Sequence, residues 1–83
     1  MERVTKSFER QSIMQTFGAR MTVVEPGYVE ITAPILLGSQ QQHGYAHAGL
    51  IFALGDSAAG YAALTTMEEG CEVLTAEMKI NLL

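Results

Sequence analysis

One carboxylate stands out by its surroundings. Between Ile31 and Met67 Asp56 is the only formally charged residue, near the middle of HAGLIFALGDSAAGYAAL, residues 47–64. A carboxylate in apolar company is costly unless it is paired, hydrogen-bonded or kept for chemistry. The chemistry open to it is that of a general base or a nucleophile. The bland alternative is an aspartate satisfied by a hydrogen bond at a helix interior or interface. His47, Ala48 and Gly49 fall at the expected start of the same helix. First-turn amides lack intrahelical partners and carry partial positive charge, the geometry of an oxyanion hole. Taken alone, those three residues make only a tight helix entry.

Other constellations carry less. His43 and His47 form H-x-x-x-H, but no Glu lies between them, Gly44 interrupts the spacing and no third ligand is evident. No metal site is expected. Cys71 is the sole cysteine, so it forms no internal disulfide, and Glu69 and Glu72 nearby disfavour its thiolate. Neither a dinucleotide fingerprint nor a phosphate loop is present.

The elements that must position these residues follow from periodicity. Val4 to Phe17 has a helical pattern, with Val4, Phe8, Ile13, Met14 and Phe17 near one face and Gly18 as a stop. Arg20 to Glu25 and Tyr28 to Ile35 are expected strands around a type II turn at Pro26-Gly27. Val29, Ile31 and Ala33 should share one face of the second strand. A polar loop from Gly38 to Gly44 leads to a long helix from about Ala46 to Thr66. Gly49, Phe52, Ala53, Asp56, Gly60 and Ala63 lie along one side of it, mostly small residues that admit another backbone or a ligand. Glu72 to Leu83 alternates like a final strand. That strand ends in exposed aliphatics, so further chain or a partner subunit is expected to cover it.

With 83 residues, 48% hydrophobic and 17% charged, the composition is that of one small globular domain, 1–83. Five scattered basic residues and a net charge of -4 argue against nucleic acid as a partner. The polar MERVTKSFERQ is no secretory signal, and a single cysteine suits a reducing cytosol; a cytoplasmic location is expected. Ala46 to Met67 has the length of a membrane span, but central Asp56, many Gly and Ala and the absence of flanking Lys or Arg favour a buried helix.

QQQHGYAHAGLIFALGDSAAGYAAL followed by EVLTAEMKINLL resembles the hotdog-fold thioesterases of the PaaI-like acyl-CoA thioesterase family. Their H-G-G-like turn, with an aspartate nine residues after the histidine, is matched by His47, Ala48, Gly49 and Asp56. The resemblance implies an α+β hotdog fold, a long central helix wrapped by a curved antiparallel sheet whose later strands are absent, so that the domain is incomplete. It implies a homodimer or homotetramer with active sites between subunits and an acyl-CoA thioester as substrate. No cofactor is implied beyond the CoA of that substrate.

By the same resemblance Asp56 is the base that activates water, or the nucleophile. Ala48 offers its backbone N–H to the thioester carbonyl and Gly49 permits close approach. Gln41 orients the nucleophile or thioester, and Thr75 positions water. His47, Gln42, His43 and Ser57 line the substrate. Ala48 departs from the usual glycine. Cations to meet CoA phosphates are few, with only Arg20 and Lys79 outside the first helix. A non-catalytic acyl-CoA-binding module or an inactive fragment is the competing expectation. A hotdog dehydratase fits less well, since those relatives place a catalytic histidine where this chain aligns Asp56.

Overall fold

The computed structural model describes residues 2–83. Its elements are α1 (Glu2–Glu9), α2 (Ser12–Phe17), β1 (Arg20–Glu25), β2 (Tyr28–Thr32), a 3-10 turn (Leu37–Ser39) and the long helix α3 (Ala48–Leu64). The expected first helix is therefore two, broken at Arg10 and Gln11. Neither glycine nor proline causes the break. Gln11 is extended (φ -81°, ψ 98°), and the turn is closed by Arg10 N–H to Ser7 O and Gln11 N–H to Phe8 O, at 3.1 and 3.0 Å.

Local signals elsewhere act as expected. Gly18 ends α2 in the left-handed region (φ 67°), with its N–H on Gln15 O and Ala19 N–H on Met14 O. Gly27 takes φ 76°, the positive angle a type II turn requires after Pro26. β1 and β2 pair antiparallel, from Arg20 opposite Thr32 to Glu25 opposite Tyr28, with an irregularity between Met21 and Val23. Val29, Ile31 and Ala33 are half-buried while Tyr28, Glu30 and Thr32 are exposed, the alternation expected of a one-sided sheet. On the outer face Tyr28 donates to Glu30 Oε1 at 2.8 Å; this bond, then the Glu30 charge, holds the phenol above its usual range.

The core joins α1 and α3 over the sheet. Val4, Tyr61 and Leu64 are buried, with Phe8, Met21, Val24, Val29 and Ile31 packed against them. Phe8 meets Tyr61 edge to face, with centroids 6.3 Å apart. Thr65 Oγ1 accepts the Gly27 N–H at 2.7 Å, which ties the β1–β2 turn to the end of α3.

Arg3 closes that helix end. Its guanidinium donates to Leu64 O at 2.6 Å, to Glu68 O at 2.8 Å and to Met67 O. A cation on the last carbonyls also opposes the negative end of the helix dipole. Arg3→Ala is expected to lower unfolding free energy by about 1–2 kcal/mol, read from the urea midpoint.

Residues 72–83 form no strand. They pass beside α3, with Val73 Cγ1 over Gly60 and Met78 Cε over Gly55. The alternation is real, but a strand also needs a neighbour to take its ladder hydrogen bonds. No such partner exists among the described residues, whose only sheet is β1–β2. α3 itself is shorter than the expected Ala46–Thr66, because His47 is its extended N-cap.

Candidate active site

α3 carries Asp56 on its small-residue side, half-buried. The 72–83 segment passes over this side one turn on, with Val73 Cγ1 beside Gly60, and brings Thr75 to the carboxylate. Thr75 Oγ1 donates to Asp56 Oδ1 at 2.7 Å. The second carboxylate oxygen has no protein partner among the described residues, and Asp56 lines a cleft of about 470 Å³. Thr75 and Ser57 line the same cleft, so three of the expected site residues come together there. A carboxylate oriented by one hydrogen bond and open on its other oxygen can take a proton from water or attack a carbonyl.

The cleft also contains residues that periodicity did not single out for chemistry. Gln11 donates through Nε2 to Tyr61 Oη at 2.8 Å and to Ser57 Oγ at 3.4 Å, and Ser7 Oγ lies 3.0 Å from the same phenol. The available signal was weak: Ser57 and Tyr61 stand four residues apart in α3, and so share a face.

The start of α3 is a separate place. Ser39 is buried, its hydroxyl bonded both ways to Leu36, and its carbonyl accepts the His47 N–H at 2.9 Å. A bridge between Gln40 and Ala46 narrows the loop entering the helix. His47 then caps α3 with its ring: Nδ1 accepts the Gly49 N–H at 2.8 Å. A Cβ at Gly49 would stand 3.0 Å from that nitrogen, so glycine makes room for the ring as much as for any ligand. His47 and Gly49 border a second cleft of about 330 Å³, beside Ile13, Phe17 and Leu50.

Two of the expected groups already have partners within the chain. The Gly49 amide is occupied by its own cap, whereas the exposed Ala48 N–H has no partner among the described residues. Only Ala48 therefore offers a free donor of that pair. Gln41 spends its Oε1 within its own loop, accepting the N–H of His43 at 2.5 Å and of Tyr45 at 3.3 Å. Gln42 and His43 lie exposed in that loop, outside both clefts. With His43 in the loop and His47 at the cap, the H-x-x-x-H pair does not share a helix.

The cap itself is testable. His47→Ala is expected to cost about 1 kcal/mol, and His47→Asp to recover it, by thermal unfolding followed by circular dichroism.

Comparison with known proteins gives these features a context. Residues 43–83 match the model of the Thioesterase superfamily, a stretch that contains His47, Ala48, Asp56, Ser57 and Thr75. The crystal structure of a thioesterase family protein from Silicibacter pomeroyi is similar at a TM-score of 0.95 and 48% identity, covering 99% of this chain. The fold is a partial hotdog fold. The chain spans 60% of the length of that solved hotdog relative. A comparison with curated proteins found no match. Within the hotdog frame α3 is the long central helix, and among the described residues no helix is long and apolar enough to cross a membrane.

Proposed function

We propose that the protein hydrolyses an acyl thioester, with acyl-CoA as substrate, to a free carboxylic acid and a thiol, as a member of the PaaI-like group. The observation that carries this reading is the Asp56 carboxylate, which lines the cleft, is held by Thr75 at 2.7 Å and has no protein partner on its other oxygen among the described residues. The similarity to thioesterases supports it.

Asp56 removes a proton from water as the water oxygen attacks the thioester carbonyl carbon. The carbonyl π pair moves to oxygen, giving a tetrahedral oxyanion that an Ala48 N–H stabilises. Collapse breaks the C–S bond, the thiolate leaves, and the proton held by Asp56 passes to it. In the covalent variant the carboxylate itself attacks, and the C–S bond breaks to leave a mixed anhydride and a thiolate. Water later cleaves the anhydride to the free acid and the Asp56 carboxylate, its spare proton passing to the thiolate.

These two groups belong to different chains. Ala48 and Asp56 are eight residues apart in α3, about 12 Å along the axis. A first-turn N–H points beyond the helix end, whereas Asp56 leaves the helix sideways. A carbonyl that meets both therefore lies between Asp56 of one copy and the α3 start of a second. The test is hydrolysis across a panel of acyl-CoAs by the parent protein, followed by thiol release. No turnover with any of them, with binding retained, would leave an acyl-CoA-binding module instead.

A further inference from the structure

Gln11 is the residue on which the α1–α2 break turns, and its side chain does not serve the helix it precedes. At the N-cap of α2 a glutamine would ordinarily be replaced by a residue that bonds back to the first-turn amides, and Gln11 makes no such cap. Its amide instead reaches across to α3, where Nε2 serves both Tyr61 Oη and Ser57 Oγ. Tyr61 is buried, and its hydroxyl is shared with Ser7. This polar wall faces the same cleft as the Asp56–Thr75 pair.

Counting donors and acceptors shows what the wall lacks. Both amide hydrogens of Gln11 are spent on α3, while Oε1 accepts from nothing among the described residues. No buried side-chain oxygen or nitrogen among them lacks a partner, so Oε1 is not sealed in the core, and Gln11 lines the cleft. A hydrocarbon chain laid against it would strip water from an acceptor and return no hydrogen bond. A hydroxyl would replace the water it displaces.

We infer that Gln11 is a specificity-determining residue selecting acyl groups that carry a hydroxyl donor remote from the thioester, over saturated hydrocarbon acyl groups of equal length. The inference rests on the thioester reading of Asp56. The thioester carbonyl sits at the Asp56–Thr75 end, and the rest of the acyl group extends towards Gln11. Sites built to bond a substrate hydroxyl discriminate strongly against analogues without one, because a buried group is then left unpaired.

The experiment compares a straight-chain acyl-CoA with its ω-hydroxy counterpart, at several chain lengths. At the best-fitting length the parent is expected to favour the hydroxylated substrate by about tenfold or more in kcat/KM. Gln11→Leu and the unbranched Gln11→Met should both bring that ratio close to one. Equal use of both substrates at every length, preference for the plain chain, or an unchanged ratio in folded variants overturns the inference. Calorimetric binding of the matching non-hydrolysable thioether analogues separates it from the reading beneath it. Tighter binding of the hydroxylated analogue without hydrolysis of either thioester would sustain the selection and sink hydrolysis. Hydrolysis of both at one rate would do the reverse.

Discussion

Asp56→Asn is expected to lower thioester turnover by about a hundredfold or more, the scale of losing a general base. The substitution isolates basicity from shape. An asparagine carbonyl can still accept the Thr75 hydroxyl that now reaches Oδ1 at 2.7 Å, so the side chain should keep its place. The loss should therefore fall on kcat, with KM and melting temperature little changed. Thr75→Val removes the orienting bond but leaves the carboxylate, and about a tenfold loss is expected from one hydrogen bond. Turnover unchanged in Asp56→Asn would remove this residue from the chemistry.

A second large effect is expected from Ala48→Pro. Ala48 is the first residue of α3, the position at which proline is best tolerated in a helix. His47 before it is extended (φ -65°, ψ 141°), the conformation a following proline demands. The substitution deletes one N–H, and that N–H has no partner to lose among the described residues. Stability should hold or rise slightly, while kcat falls by about a hundredfold or more if the amide binds the oxyanion.

Co-expression of the two inactive variants tests whether the groups come from separate chains. In a two-fold dimer half the assemblies are mixed, and one of the two sites in each is intact. Roughly a quarter of parental activity should return. No return of activity would place both groups in one chain or take Ala48 out of the reaction.

Much of the frame was legible from local chemistry. Gly18 and the Pro26-Gly27 turn fall where the chain needs positive φ, and both do so at 67° and 76°. Val29 and Ile31 match the half-buried side of β2, and Ala33 just beyond its end continues the alternation. Asp56 was conspicuous because its neighbours are apolar, and the structure gives it a partner in Thr75. Gln11 was not legible. A glutamine amid helix-forming residues carries no breaking signal, and its side chain bonds Tyr61 and Ser57, both in another element. The resemblance alone implies an orienting role for Gln41. The folded loop turns its carbonyl inward to two backbone amides.

Periodicity and turn chemistry act between residues a few positions apart, so the chain alone specified the long helix, the hairpin, the helix stop and the lone acid among apolar neighbours. Which atoms meet across elements depends on packing between distant segments. That packing set Thr75 on Asp56, turned Gln11 towards α3 and left the Ala48 amide free while His47 took that of Gly49. It also withheld strand pairing from residues 72–83, because an alternating pattern can orient side chains but cannot supply the neighbouring backbone that a ladder requires.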